Sequence, residues 1–250
     1  MCEDTNILST RVSRIINISH NTILLTLKLD EDFEILKVPY FVYIYNDSKF
    51  MKKPYTPITM NGREISLIVK TYYGTGLSNY IYKKSLGDTL FISNAYYKQE
   101  YNRDHKNVLM LAGGTGITPM LQIINNDSDK SKFTIIFSNS SFSDIIINKN
   151  IISDDVDIYH VISNPEYPVS FDRSFYLVNE YNFFFGRLSE KIIKEIHEKK
   201  GITHFDYIYV CGPKEYLECV AGSKSPDKTQ GRLTGMLKNL GYDSDSVYKF

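Results

Sequence analysis

The sequence predicts two folded parts of different class: an N-terminal antiparallel β-barrel with Greek-key connections, then a C-terminal α/β domain, doubly wound on a parallel sheet. Three observations carry this. The first hundred residues are a series of short apolar and β-branched runs, TILLTLKL, VPYFVYIY, EISLIVKTYY and TLFIS, punctuated by turns such as MNGR and SLGD, the spacing of a barrel or sandwich. From Val108 onward the rhythm changes: VLMLA, FTIIFS, DIYHVIS and YIYVCG alternate with the helix-like PMLQIIN, LSEKIIKEIHEKK and LTGMLKNLG, the signature of strand–helix units around a parallel sheet. Between them runs a polar bridge, KQEYNRDHK at 98–106, which sets the expected domains at 1–103 and 104–250. A short helix is expected at LSNYIYKK.

Composition excludes several classes. With 42% hydrophobic and 23% charged residues the chain is an ordinary folded protein. Lys plus Arg and Asp plus Glu balance at 29 each, so the net field gives no reason to expect a nucleic-acid partner. Cys2, Cys211 and Cys219 are too few for a disulfide framework, and neither they nor the five histidines have metal-ligand spacing; no metal is expected. No run approaches the roughly 18 apolar residues of a membrane span, and the opening MCEDTNILST lacks a signal-peptide apolar region. A cytoplasmic monomer is the expectation, peripheral to a membrane only through a partner.

Residues 108–121, VLMLAGGTGITPML, place a glycine run between a strand and a helix. Gly113, Gly114 and Gly116 admit backbone angles closed to other residues and a close approach by a ligand. Thr118 stands where an N-cap belongs and Pro119 at the first helical position. Unpaired amides and the helix dipole make this turn a pyrophosphate cradle. Its spacing departs from G-x-G-x-x-G, and the absence of a P-loop lysine argues against kinase and GTPase chemistry. A plain strand-to-helix turn fits the same pattern.

KKPYTPIT, residues 52–59, sets a cation (Lys53), an aromatic (Tyr55) and a hydroxyl (Thr56) beside Pro54 and Pro57. Such a set suits a phosphate, a flat ring and a ring heteroatom; taken by itself the segment reads first as an edge strand with proline at its ends. VKTYYGTGLSNYI, residues 69–81, supplies a second glycine turn, where Ser78 and neighbouring amides suit another phosphate; a plain turn fits it as well.

Taken in order with CGPKEYLE and the terminal aromatic, the motifs KPYTP, VKTYYGTGLS, GGTGITPM, CGP and YKF resemble the ferredoxin–NADP reductase superfamily, and most closely its NADH–cytochrome b5 reductase branch with a fungal-type C-terminus. The resemblance spans about residues 11–250 and implies that the barrel binds FAD, that the α/β domain binds NADH, and that the two cofactors meet at the domain cleft. By motif position it assigns Lys53, Pro54, Tyr55, Thr56, Thr59, Ile68, Lys70, Gly76, Leu77 and Ser78 to FAD. Gly113, Gly114, Thr115, Gly116, Thr118, Pro119, Cys211, Gly212, Pro213 and Phe250 fall to the nicotinamide side. It further implies that Thr56 supports the flavin nitrogen receiving the hydride, that Tyr55 packs on the ring, and that Cys211 with Thr118 positions the nicotinamide, Cys211 without acting as a nucleophile. Two departures stand out: Lys53 replaces the family arginine, giving up its bidentate fork, and Ser93–Ala95 replaces R-G-P.

The strand end FSNSSFSD, 137–144, carries no cation for a 2′-phosphate; Asp144 suits a free 2′-hydroxyl or a helix cap, and NADH is expected over NADPH. The implied acceptor is cytochrome b5 or a similar acidic haem protein, with Lys52, Lys53, Lys83, Lys84 and Lys98 as candidate docking cations. A general diaphorase, a reductase for another acceptor, and a non-catalytic FAD/NADH sensor are the alternatives.

Overall fold

Alternating burial along the early strands and unbroken burial along the later ones divide the chain before any long-range contact is considered. The computed structural model describes residues 7–72, 74–97, 99–147, 151–165 and 182–250; Cys2 and Lys98 lie outside them. Two compact units result, one of residues up to Tyr101 with Leu121–Asn126, the other of Asn102–Met120 with Asp127–Phe250. The division falls inside the predicted polar bridge, except that the second half of one helix clusters with the first unit.

The first unit contains β1 (Ile7–Ser19), β2 (Thr22–Leu29), β3 (Tyr40–Tyr45), β4 (Lys52–Tyr55), β5 (Thr59–Asn61), β6 (Glu64–Lys70), α1 (Leu77–Tyr82), β7 (Thr89–Ser93) and β8 (Tyr96–Tyr97). The strands pair in the order β4-β3-β7-β1-β2-β6-β5, every ladder antiparallel, with β8 added to β3. Val42 and Ile44 of β3 share one apolar cluster with Ile65, Leu67 and Val69 of β6, although three strands separate them in the sheet. The sheet therefore rolls around a single core, as a barrel does. Register shifts in β1 between Val12 and Arg14 and between Asn17 and Ser19 help a 13-residue strand curl. That strand carries few consecutive apolar residues, which is why the run-based reading passed over it. Helix α1 confirms the short helix expected at LSNYIYKK and buries Leu77 and Ile81.

The second unit contains β9 (Val108–Gly113), α2 (Thr118–Asn125), β10 (Phe133–Asn139), β11 (Asp157–Ile162), β12 (Phe183–Phe185), α3 (Glu190–Lys200), β13 (Tyr207–Cys211), α4 (Lys214–Ala221), α5 (Gly235–Asn239) and β14 (Val247–Lys249). Its sheet is parallel throughout, in the order β12-β11-β10-β9-β13-β14. All six residues of β9 are buried, as a central strand covered on both faces requires. Helix α3 shows how local sequence sets an element's limits. The Ser189 hydroxyl accepts from the Ile192 amide, Glu190 occupies the first turn, and His197, Lys199 and Lys200 occupy the last. Gly201 closes the helix at φ 64°, while Ile192, Ile193 and Ile196 face the core. The sequence reading did not foresee α4, nor β14, whose three residues are all buried.

Two buried ionisable groups mark this core. Lys249 is 2% exposed, and its ammonium donates to the carbonyls of Ala221, Ser223 and Arg232 at 3.4, 3.2 and 3.2 Å; burial lowers its pKa. His160 on β11 lies face to face with Phe183, centroids 4.9 Å apart. Its Nδ1 is buried without a hydrogen-bond partner, and burial pushes its pKa down from 6.5 to about 4. Between those values the unfolded chain holds a proton that the folded one refuses, so this contribution to stability is complete above pH 6.5 and falls as the pH drops towards 4. Relative to His160→Phe, the wild type should lose up to about 3 kcal/mol over that interval. Urea unfolding of both proteins at pH 4, 5 and 7 measures the difference, and parallel pH profiles would contradict the assignment.

Candidate functional site

The strand order of the second unit reverses direction between β9 and β13: successive strands from β9 step one way through β10, β11 and β12, while β13 and β14 lie on β9's other side. At such a switch point the loops leaving the carboxyl ends of two adjacent strands diverge and leave a crevice, the usual ligand site of open α/β sheets. Here those loops are GGTGIT after β9 and CGP after β13, nearly a hundred positions apart in sequence and paired because Cys211 lies opposite Ala112.

The glycines serve packing first. A Cβ on Gly116 would stand 2.4 Å from the Cys211 carbonyl oxygen and 2.8 Å from the Gly212 nitrogen. Gly113 and Gly212 face the Tyr216 ring, with added Cβ atoms falling 3.2 and 2.7 Å from its carbons. Tyr216 thus fills the space that side chains at Gly113 and Gly212 would otherwise claim. Its hydroxyl accepts a 3.5 Å hydrogen bond from Ser138 at the end of β10, and burial raises its pKa well above the usual phenol value. Sequence reasoning missed this residue; the CGP-x-x-Y spacing is the signal that places it one helical turn behind the loop. Gly114 differs, with φ +55° and open space around its Cα, so it alone of the run needs glycine for backbone shape and leaves one side clear.

The expected N-cap at Thr118 is corrected by the structure. Gly114–Ile117 form a 3-10 turn capped by Gly113, and Thr118 is already helical at φ −59° and ψ −43°. Pro119, expected at the first helical position, is therefore the second residue of α2. Its missing amide deprives the Thr115 carbonyl of its i+4 donor, and the Thr118 amide and hydroxyl, the latter at 3.2 Å, both donate there instead. The helix thus starts earlier than the sequence pattern suggested. Among the described residues no side chain caps the 3-10 turn or α4, so amides at the starts of two helical elements border the same crevice, a cradle that fits a pyrophosphate.

Cys211 ends β13. Burial pushes its thiol pKa up to about 12, only partly offset by Lys224 and the Gly212 amide, so it is a neutral thiol. Phe250 follows β14; its amide donates to the Val210 carbonyl at 2.9 Å and its ring lies over Tyr209 at 5.7 Å. Asp144 acts as a cap: its Oδ2 accepts from the Ser141 amide and hydroxyl at 3.2 and 2.9 Å, closing a capping box.

In the first unit the phosphate and ring candidates gather at the end of β4. This is an edge strand, which is why it tolerates Pro54. Lys53 and Pro54 are exposed, Tyr55 and Thr56 half-buried, and Thr59 exposed at the start of β5. Burial, with a smaller effect from neighbouring Tyr72, raises the Tyr55 phenol to about 12. Tyr72 is 63% exposed and was not singled out from the sequence. Ile68 is buried on β6 and Lys70 half-buried at its end. Gly76 caps α1 through backbone alone, and Asn79 braces the turn by donating to the Gly74 carbonyl and accepting from Thr71. Of the lysines named for docking, Lys52 sits over the Tyr43 ring at 4.7 Å, Lys84 pairs with Asp47 at 3.5 Å, and Lys53 and Lys83 are exposed.

Among the described residues no group of His, Cys, Asp and Glu is placed to hold a metal ion, and no helix is long and apolar enough to cross a membrane.

A profile described as an oxidoreductase FAD-binding domain matches residues 9–101. Among solved structures, the chain superposes on the cytochrome b5 reductase domain of Ulva prolifera nitrate reductase with a TM-score of 0.71, 20% identity, and coverage of 99% of this chain and 98% of that one. It superposes on the CS-b5R domains of human Ncb5or with a TM-score of 0.74, 19% identity, and coverage of 98% and 69%. In sequence it is 33% identical to NADH-cytochrome b5 reductase 2 of Neurospora crassa, covering 99% of this chain and 74% of the relative. It is 34% identical to that of Coccidioides immitis, covering 82% and 63%. The chain belongs to the NADH-cytochrome b5 reductase family, and spans between 63% and 74% of the length of these two curated relatives.

The packing distances separate the glycines. Gly116→Ala forces backbone against backbone and should cost about 3 kcal/mol, the upper end for overpacking, and weaken nicotinamide nucleotide binding. Gly114→Ala meets open space and should cost only the left-handed strain, about 1 kcal/mol. Chemical denaturation and nucleotide titration of the two variants check the order; equal losses would refute it.

Proposed function

We propose that this chain passes a hydride from NADH to FAD and then single electrons to a haem protein, cytochrome b5 or one with a similarly acidic face. The observation that carries the reading is the meeting of the GGTGIT and CGP loops at the switch point of a parallel sheet, in a chain whose first unit matches an FAD-binding domain. FAD, when bound, supplies the conversion of a two-electron donor into a one-electron donor.

The chain's own residues bind and orient. Exposed Lys53 offers a point charge to a flavin phosphate, a contact that bends more readily than the planar arginine fork. The backbone of Gly76, Leu77 and Ser78 takes a second phosphate oxygen. Tyr55, a neutral phenol throughout the physiological range, packs against the isoalloxazine, and Thr56 presents its hydroxyl to the ring nitrogen. On the nucleotide side, the turn from Gly113 to Thr118 holds the pyrophosphate. The Thr118 hydroxyl proton is committed to Thr115, so its oxygen is left to accept from the carboxamide. Cys211 packs beside the nicotinamide as an unionised thiol. No proton-transfer residue is required for hydride movement, only alignment and exclusion of water. Cation-free FSNSSFSD, with Asp144 at its end, favours the unphosphorylated ribose.

The freshly purified protein should be yellow, bleach within the mixing time of anaerobic NADH, and show a higher kcat/KM with NADH than with NADPH. Colourless protein that takes up no added FAD would remove the reading, and preference for NADPH would overturn the nucleotide assignment. Reduction of an acidic haem protein should slow as ionic strength rises, because charge steers such encounters, and Lys83→Glu should flatten that dependence. A rate indifferent to salt would point to an acceptor of another kind.

A further inference from the structure

The segment Thr56–Ile58, on which the flavin-side reading depends, lies between strands. β4 ends at Tyr55 and β5 begins at Thr59, and Pro57 has no amide to donate. Its amide-side anchor is the Ile58 N–H, which donates to the Ser66 carbonyl at 2.8 Å. The carbonyl side is held differently. Gln122 Nε2 donates to the Pro57 carbonyl at 2.6 Å, and Asn125 Nδ2 to the Ile58 carbonyl at 2.9 Å. Gln122 Oε1 in turn accepts from the Tyr40 amide, at the start of β3, at 2.7 Å. Gln122 is 1% exposed, so both ends of one buried amide are spent on two backbone segments. Both side chains project from the part of α2 that clusters with the first unit.

We propose that Gln122 and Asn125 are positioning residues for the flavin: they form a two-amide clamp that sets where Thr56 stands, just past the end of the β4 ladder. The proposal rests on the reading of KPYTP as flavin-facing. The β4 ladder ends with Tyr55 opposite Val42, Pro57 has no amide, and Thr56–Ile58 is left poor in donors, so side-chain amides reaching its carbonyls hold it. A rigid segment presents its hydroxyl already ordered, whereas a loosened one must be ordered by the ligand, which weakens binding.

The test compares wild type, Asn125→Ala and Gln122→Met, each titrated as apo-protein with FAD by fluorescence quenching, then saturated with FAD for its visible spectrum and midpoint potential. Asn125 is exposed and borders, with Thr59 and Gln122, a cavity of about 120 Å³, so its truncation opens onto existing space and leaves the fold intact. Loss of one hydrogen bond predicts a rise in FAD Kd of about three- to tenfold for Asn125→Ala, and more for Gln122→Met. The flavin spectrum and potential should shift in the saturated variants, a change that mere loss of stability would not produce. Should Gln122→Met fail to fold, Asn125→Ala decides alone. Wild type that binds FAD beside an Asn125→Ala variant with unchanged Kd, spectrum and potential overturns the clamp and leaves the flavoprotein reading standing. Wild type that takes up no FAD overturns both.

Discussion

Everything on the nucleotide side depends on the approach of two backbones at the β9–β13 switch point. Gly116 sits against the Cys211 carbonyl at a distance no Cβ can share, and Gly113 and Gly212 leave the room that the Tyr216 ring occupies. Had any of the three carried a side chain, the loops would part and the helix starts that border the crevice would no longer converge. Glycine in this motif is usually explained by ligand approach; here three of the four glycines are accounted for by protein packing, and only Gly114, open and left-handed, keeps a free side. The atoms that hold the two loops together are therefore the ones that border the crevice.

A second economy appears at the Thr118–Pro119 pair. Proline, second residue of the regular helix, costs one amide, and threonine before it covers the deprived carbonyl with both its amide and its hydroxyl. The same bond fixes the hydroxyl as an acceptor towards anything beyond it. The neighbouring Cys211 thiol stays protonated through burial, so the site presents neutral groups and backbone dipoles in place of ionisable catalysts. Such an environment suits a reaction in which both reactants carry the chemistry and the protein supplies alignment.

Buried polar groups elsewhere serve as braces. Lys249 gathers the carbonyls of Ala221, Ser223 and Arg232, while the Gln230 side chain pairs with both the amide and the carbonyl of Lys249 at 2.6 and 3.0 Å. One lysine thereby ties the long connection after α4 to the last strand. Gln122 acts similarly between Pro57 and Tyr40. In both cases a polar side chain replaces ladder hydrogen bonds that the local chain cannot make.

Much of this was legible in the primary structure, because it is local. Alternation with period two and unbroken apolar runs distinguish the strands of the two units; LSEKIIKEIHEKKG carries its own cap, stripe and stop; and GGTGITPM announces a strand-to-helix turn. Strand β1, helix α4 and strand β14 escaped notice because their apolar residues are few or interrupted and their burial comes from neighbours. The roles of Tyr216, Gln122 and Lys249 also depended on the folded arrangement. Each is defined by partners that are mostly tens of positions away, and no spacing rule tells a lysine that it will meet three carbonyls or a tyrosine that it will fill the gap left by two glycines. Sequence alone determines which segments turn, extend or coil, since those preferences act over a few residues; tertiary structure decides which of them touch, since that follows from strand order and from the exclusion of one atom by another.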